Sequence, residues 1–250
     1  MSAPSLEADQ QTEFRLSKSF DRWDPDTECT LVISQPSVEA HLWKEYLDGA
    51  QRSYSKHGVE SALDVAAIES GEDTALFFAA VDDRGRVVGG LRAKGPYESA
   101  DESHAVVEWA GRPGLHAVRK MITDRLPFGV VEMKTAWVID DPNRNRLLTT
   151  MLARTAFPAM ELLDSQFVMA TSAAHVLDRW RSSGGVVASK IPATPYPDER
   201  YRTKMMWWDR HNFAKHAEPK QLSKTLQEMA ELSRILYEGD EMGALRQSAL

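Results

Sequence analysis

Apolar residues recur along the chain in short runs and at helical spacing, and the two patterns alternate. Residues 28–34 form a short apolar run that predicts a strand. Apolar residues at helical spacing follow and predict an amphipathic helix that ends near Gly58. Two further runs, 76–81 and 87–91, flank a turn that contains Gly85, which is typical of a β-hairpin. The first part of the chain therefore predicts a strand, a helix and a hairpin.

The rest of the chain alternates strand-like and helix-like segments. The predicted elements are a helix at 115–126, a strand at 130–139, a helix at 143–163, a strand at 166–171, a helix at 173–182 and strands at 186–191 and 201–208. The strand at 130–139 is predicted to place Met133 and Trp137 on one face, and Glu132 and Lys134 on the other. Two charged side chains thus share an otherwise apolar strand face.

Composition and charge narrow the class of protein. The single cysteine, Cys29, excludes an intrachain disulfide framework and argues against a cysteine zinc site. The formal net charge of −7 argues against non-specific binding to nucleic acid. No apolar run approaches the ~20 residues that a membrane-spanning helix needs. Residues 1–12 predict a disordered leader without the apolar core of a secretory signal, so we expect a cytoplasmic protein.

The break after the strand at 130–139 is a candidate anion site. It reads Asp140-Asp141-Pro142 and leads directly into a helix that carries Arg144 and Arg146 near its start. Free N–H groups and the dipole at a helix start favour phosphate, and the two arginines add positive charge. In the alternative interpretation an aspartate caps the helix and both arginines are solvated. His104 and Glu108 form a further pair at helical spacing, but two ligands alone make a poor metal site.

The order of the elements resembles that of the GNAT acyltransferase superfamily. The hairpin VDDRGRVVGGLR is similar to its second and third strands, and VVEMKTAWV resembles its fourth strand. PNRNRLLTTML occupies the place of the pyrophosphate-binding loop and helix, and FVMATSAAHVLDRWRSSGG that of the fifth strand and next helix. The resemblance covers residues 74–208. It implies an α+β fold, an α/β sandwich in which helices flank a mixed, mostly antiparallel central sheet.

Within the superfamily, the chain is most similar to the acyl-homoserine-lactone synthases and the long-chain N-acyl amino acid synthases. Arg92 matches the arginine that follows the glycines in that branch, and Glu132 matches its fourth-strand glutamate. Thr135 stands where the branch usually has arginine. In addition, no glycine occurs between Asp140 and Leu163, where the superfamily has a glycine-containing phosphate loop. Because glycine lets a backbone approach a pyrophosphate closely, we expect altered binding of coenzyme A.

The resemblance implies an N-acyltransferase that moves an acyl group from acyl-coenzyme A or an acyl-carrier protein to an amine, such as an amino acid or a similar small molecule. Glu132 is then the catalytic candidate, as the general base. The donor-binding candidates are Thr135, Trp137, Val138, Arg144 and Arg146. The acceptor-binding candidates are Arg92, Lys134, Thr171 and His175. Tyr196 and Tyr201 are weaker candidates for protonating the leaving thiolate. No metal is expected.

A catalytically inactive GNAT-like ligand-binding or scaffold protein is the alternative. The missing glycines favour this alternative, whereas Glu132 and the paired arginines favour the enzyme. In either case we expect a GNAT-like domain at 13–217, with its core at 74–208. A helical extension at 218–250 follows, and it is a candidate contact for a homodimer.

Overall fold

The computed structural model describes the backbone of residues 14–247 and the side chains of residues 14–237. The predicted leader at 1–12 lies outside the described residues. The strands are β1 (Phe20–Asp24), β2 (Cys29–Ser34), β3 (Leu76–Asp82), β4 (Val87–Lys94), β5 (Val130–Val138), β6 (Phe167–Ala173), β7 (Val186–Val187) and β8 (Thr203–Asp209). The α-helices are α1 (Ala40–Lys56), α2 (Val65–Ile68), α3 (His104–Glu108), α4 (Leu115–Thr123), α5 (Asn145–Leu152), α6 (Ala156–Leu162), α7 (Leu177–Arg181) and α8 (Pro219–Gln247).

The strands form one sheet in the order β1-β2-β3-β4-β5-β6-β8-β7. Strands β5 and β6 pair in parallel, and the other neighbouring strands pair antiparallel. The parallel pair follows from the sequence between them, because α5 and α6 return the chain to the starting end of β5. The predicted mixed, mostly antiparallel sheet flanked by helices is confirmed.

Helices cover both faces of the sheet. On one face Trp43 and Tyr46 of α1 pack against Phe77 of β3. Phe78, the next residue along β3, points to the opposite face and belongs to the cluster that contains Leu148 of α5. The fold therefore has three layers, and α1 and α5 lie on opposite sides of the sheet.

Several elements differ from the sequence-based prediction. The helix expected at 173–182 is α-helical only at Leu177–Arg181, because β6 continues to Ala173. Strand β1 was not predicted, and it pairs with β2 at the edge of the sheet. The helix expected at 143–163 is two helices joined by a 3-10 turn at Ala153–Thr155. Pro158 explains the break, because it has no N–H to donate to the carbonyl of Arg154. The strand expected at 186–191 is only two residues long.

The C-terminal helix is tied to the core by a buried ionic network. Arg154 donates to Asp24 on β1 at 2.6 Å, and to Glu228 and Gln221 on α8 at 2.8 Å each. Leu232 of α8 joins the same apolar cluster as α5 and α6. Helix α8 thus packs against the sheet domain over the part whose side chains are described. None of the helices within residues 14–247 is long and apolar enough to cross a membrane.

Candidate active site

The two parallel strands at the centre of the sheet pair over only part of their length. The pairing of β5 with β6 ends at Met133 and Ala170, although β5 continues to Val138 and β6 to Ala173. Beyond that point the strands separate and leave a gap in the middle of the sheet. A cavity of about 550 Å³ occupies this gap. It extends from the C-terminal end of α1 on one face to α5 and α6 on the other.

A β-bulge in β5 forms part of the cavity wall. Arg92 on β4 lies opposite Lys134, and Gly90 lies opposite Trp137, so two residues of β5 face one residue of β4. Thr135 in the bulge has a φ of 55°, in the left-handed region that residues other than glycine rarely adopt. The bulge also shifts the alternation of side chains. Trp137 therefore packs in the cluster of α1, and the predicted face shared by Met133 and Trp137 is wrong beyond Thr135.

Helix α1 holds this bulge in place. The hydroxyl of Tyr46, which is fully buried, donates a hydrogen bond of 2.8 Å to the carbonyl oxygen of Thr135. The ring of Tyr46 stacks on Trp137, with 6.4 Å between ring centroids. Gly49, one turn further along α1, leaves room for the same indole, since a Cβ there would lie 2.1 Å from its ring. The burial of Tyr46 raises its pKa well above the usual value, so the phenol stays a donor.

Side chains from several elements meet around the cavity. Those that belong to the sequence-based candidates are Lys134, Thr135, Trp137, Val138, Thr171 and His175. The weaker candidates Tyr196 and Tyr201 also line the cavity, and further polar lining residues are Tyr54, His57, Asn145 and Arg179. On the side of α5 and α6 the wall is half polar, with Asn145, Thr149 and Thr155 beside Leu152, Ala153 and Ala156.

Glu108 of α3 joins the two separating strands from behind the cavity wall. Its Oε1 accepts hydrogen bonds from Lys134 Nζ at 2.7 Å and from Thr171 Oγ1 at 2.8 Å. The other carboxylate oxygen, Oε2, is buried and has no partner among the described residues. Burial acts to lower the pKa of Lys134, but the carboxylates of Glu108 and Glu132 outweigh it and raise the pKa. Lys134 is therefore an ammonium at neutral pH.

Glu132 is fully buried on the same face of β5. Its Oε2 accepts from the Tyr97 hydroxyl at 2.7 Å and from the backbone N–H of His104 at 2.9 Å. Its Oε1 is buried without a described partner. Glu132 thus anchors the first residue of α3. Its carboxylate lies behind the cavity wall. No observation tests its assignment as the general base, which stays a prediction.

His104 connects this buried group to the cavity. Its Nε2 lies 2.8 Å from the hydroxyl of Tyr196, and 3.9 Å from Glu108 Oε1. The rings of His104 and Tyr196 meet edge-on, with 5.7 Å between centroids. Burial lowers the pKa of His104 to about 4, and the nearby Lys134 ammonium acts in the same direction. The imidazole is therefore neutral at neutral pH, and in its Nδ1–H tautomer Nε2 accepts a hydrogen bond from the Tyr196 hydroxyl.

None of the three candidate arginines lines the cavity, although Arg92 Nε donates to Thr135 Oγ1 in the bulge at 3.4 Å. Arg92 is buried on β4, where Nη1 contacts Asp73 at 2.7 Å and Thr74 at 3.0 Å. Arg144 donates to the carbonyl of Thr27 at 3.3 Å and to Cys29 Sγ at 3.1 Å, so it points towards β2. Arg146 is exposed on the first turn of α5. Asn145 and Thr149 of α5 and Arg179 of α7 line the cavity instead.

Sequence reasoning considered His104 and Glu108 only as a metal pair and did not connect them to β5. Their helical spacing was the available signal, and it correctly places both side chains on one face of α3. No cluster of three or more His, Cys, Asp or Glu side chains that could hold a metal occurs in the described part of the chain. The partners of Glu108 lie 26 and 63 residues away along the chain, so no local pattern connects them.

Sequence comparison finds relatives of this chain in mycobacteria. Rv1356c from Mycobacterium tuberculosis (strain H37Rv) is 60% identical over 222 residues, which cover 89% of this chain and 84% of that protein. Mb1391c from Mycobacterium bovis matches with the same values. No protein-family model matches the chain.

Two solved structures share the fold. FeeM, an N-acyl amino acid synthase from uncultured soil microbes, superimposes with a TM-score of 0.51 at 11% identity, covering 82% of this chain and 95% of that chain. MesI, a CoA-dependent acyl-homoserine lactone synthase, has a TM-score of 0.50 at 12% identity, covering 78% of this chain and 93% of that chain. The fold is thus that of the GNAT acyltransferases.

Proposed function

The chain belongs to the family of the mycobacterial protein Rv1356c, and from the geometry of its cavity we propose that it is an N-acyltransferase that moves an acyl group from a coenzyme A thioester to an amine. The observation that carries the proposal is the bulge at Thr135, which lies in the cavity wall just beyond the point where β5 and β6 separate. A thioester in this gap would lie against the backbone of residues 135–137. N–H groups fixed there are suited to polarise its carbonyl as charge develops on the oxygen.

The donor has a plausible route through the gap. The cavity reaches from the bulge to Asn145 at the start of α5 and to Arg179 on α7. A helix start and a guanidinium both favour phosphate oxygens. In this proposal they take the place of Arg144, which contacts β2 instead. The GNAT fold and the dependence of MesI on CoA support coenzyme A as the carrier, and a loaded acyl-carrier protein is the alternative donor.

The charges at the other end of the cavity bear on the acceptor. Arg92 is paired with Asp73, and Lys134 is paired with Glu108. Both cations near the strand gap are therefore neutralised by buried or half-buried carboxylates. An acceptor carboxylate would have to compete with Glu108 for Lys134. We accordingly expect a simple amine to be a better acceptor than the amino acid from which it differs by one carboxylate.

Thiol release tests the proposal directly. The protein is incubated with acetyl-, octanoyl- or palmitoyl-coenzyme A and an amine, and free coenzyme A is measured with a thiol reagent. Cys29, the single cysteine of the chain, is fully buried, so the native protein contributes little background. Tyramine and tyrosine differ by one carboxylate, so the rates with these two acceptors measure how the carboxylate affects transfer to the amine. Mass spectrometry must detect the corresponding amide.

The inactive alternative predicts a different outcome. The absence of a glycine-containing loop and the turn of Arg144 towards Cys29 both favour it. A protein of that kind would bind an acyl-coenzyme A, measured by calorimetry, without releasing thiol in the presence of any amine. If the protein neither binds nor turns over acyl-coenzyme A or a loaded carrier protein, the acyltransferase proposal is refuted.

A further inference from the structure

Acyl transfer to an amine requires that the amine lose a proton before it attacks. An aliphatic amine is an ammonium ion at neutral pH, and its nitrogen has no free electron pair until one N–H bond breaks. The residues that line the cavity therefore decide how this proton leaves. This question rests on the proposed function and concerns the same cavity.

Two charged groups near the strand gap are poorly suited to take the proton. Lys134 lines the cavity but is held as an ammonium by Glu108 and Glu132. Glu132 has no exposed surface, and its Oε2 already accepts two hydrogen bonds, from Tyr97 and from the backbone of His104. An acceptor in the cavity would have to displace the wall to reach that carboxylate.

Tyr196 is placed differently, because it lines the cavity and has a proton acceptor behind it. Its hydroxyl lies 2.8 Å from His104 Nε2. When Tyr196 donates its proton to the neutral imidazole, its oxygen lone pairs are left to accept a hydrogen bond from a group in the cavity. The residue therefore offers the ammonium of an acceptor a hydrogen-bond acceptor that is already joined to a base.

His104 also provides an exit to solvent. Its side chain is 32% exposed, unlike those of Glu108 and Glu132. The titratable and charged groups that face it are Glu108 on α3, Glu132 and Lys134 on β5, Arg92 and Lys94 on β4, and Tyr196 on the segment before β8. Burial and the positive groups among them disfavour the imidazolium, so His104 holds a proton only briefly: uptake is costly, and release to solvent is fast.

We propose that Tyr196 and His104 form the proton outlet for the acceptor amine. One ammonium N–H bond breaks as the proton moves to Tyr196 Oη, while the proton of Tyr196 moves to His104 Nε2. The imidazolium then releases its Nδ1 proton to solvent, and proton exchange with solvent returns the ring to its Nδ1–H tautomer before the next turnover. The freed nitrogen lone pair attacks the thioester carbonyl carbon, and the C–S bond breaks. The second amine proton is lost as the amide forms and protonates the leaving thiolate, so the reaction releases one proton to solvent.

The test compares Tyr196→Phe and His104→Gln with wild-type protein over a range of pH at saturating acyl-coenzyme A. We expect kcat/KM for an aliphatic amine to fall by about 10²-fold or more at neutral pH in Tyr196→Phe. The loss should shrink as the pH rises past the pKa of the amine, because the neutral amine then forms in solution. Donor affinity, measured by calorimetry, should not change. His116→Gln and Tyr237→Phe are matched controls, since both side chains are exposed and remote from the cavity wall.

A second acceptor makes the readout specific for proton removal. An O-alkyl hydroxylamine is neutral at pH 7 and does not need the outlet, so Tyr196→Phe should transfer acyl groups to it at nearly the wild-type rate. Added imidazole should restore part of the activity of a His104→Ala variant, because this side chain is partly open to solvent. A merely structural role for either residue would reduce the rates with both acceptors equally.

The outcomes separate this inference from the proposed function. If the wild-type protein transfers no acyl group to any amine, both are overturned. If it is active and Tyr196→Phe keeps the wild-type kcat/KM at neutral pH, only the proton outlet is overturned. An equal loss at every pH and with both acceptors would also overturn it. Should Tyr196→Phe fail to unfold cooperatively, the same comparisons with His104→Gln decide.

Discussion

The hydroxyl of Tyr46 is the most direct support of the bulge, and the substitution Tyr46→Phe removes it alone. The ring stays in place, so its contacts with Phe77 and Trp137 are kept and no cavity forms. What is lost is the 2.8 Å hydrogen bond to the carbonyl of Thr135. A buried polar group that loses its partner costs about 1–3 kcal/mol. The bulge itself stores strain, because a left-handed threonine costs on the order of 1–2 kcal/mol.

We therefore expect Tyr46→Phe to lower the free energy of unfolding by about 2 kcal/mol. Urea unfolding followed by circular dichroism measures this value. Tyr237→Phe, at a side chain that is 68% exposed, is the matched control and should change it little. Acyl transfer should also slow, since residues 135–137 would no longer be held against the thioester. A variant as stable and as active as the control would refute the claim that α1 positions the bulge.

Three other substitutions test the supports of the site. Glu108→Gln should destabilise the protein by about 3–5 kcal/mol in urea unfolding, because Lys134 loses its buried counter-charge. A double variant that also carries Lys134→Met should recover part of that loss. If it recovers none, the pairing of Lys134 with Glu108 is contradicted. The pKa of His104 is lowered from 6.5 to about 4 in the folded protein, so between these pH values the imidazole is protonated in the unfolded chain and neutral in the folded chain. Stability should thus be full above pH 6.5 and fall as the pH drops towards 4, by about 2 kcal/mol after solvent screening at the exposed third of the ring. His104→Gln should lack this contribution, and an unchanged pH dependence would refute it. Gly49→Ala places a methyl group against the Trp137 ring and should cost about 1–3 kcal/mol, with a shift in tryptophan fluorescence. Wild-type stability in that variant would show that α1 is not packed tightly on the bulge.

The elements that could be predicted from the sequence are those with a local pattern. The apolar runs around Gly85 gave the hairpin of β3 and β4, and the run at 130–138 gave β5. Strand β1 lacked such a pattern, because three of its five residues are charged and it lies at the sheet edge. Its pairing with β2 supplies the stability that its own composition does not indicate.

Most of the site that could be predicted lies on β5, on β6 and in the turn after β6, and the weaker candidates Tyr196 and Tyr201 line the cavity as well. Lys134, Thr135, Trp137, Val138, Thr171 and His175 do line the cavity. The bulge could not be predicted, since nothing in the local sequence marks Thr135 for a left-handed conformation and its support comes from Tyr46, 89 residues away. The contact of His104 with Tyr196 likewise spans 92 residues. Such contacts form when the sheet brings distant segments together. The hydrophobic repeats of strands (2 residues) and of helices (3.6 residues) carry no information about them.

A crystal structure of the protein with a stable thioether analogue of octanoyl-coenzyme A would test the central claim most directly. We predict that the analogue passes through the gap between β5 and β6, with its reactive carbon beside residues 135–137 and its phosphates near Asn145 and Arg179. Tyr196 should face the open acceptor side of that carbon. An analogue bound elsewhere at saturating concentration, with the gap empty, would contradict the assignment of this cavity as an acyl-transfer site.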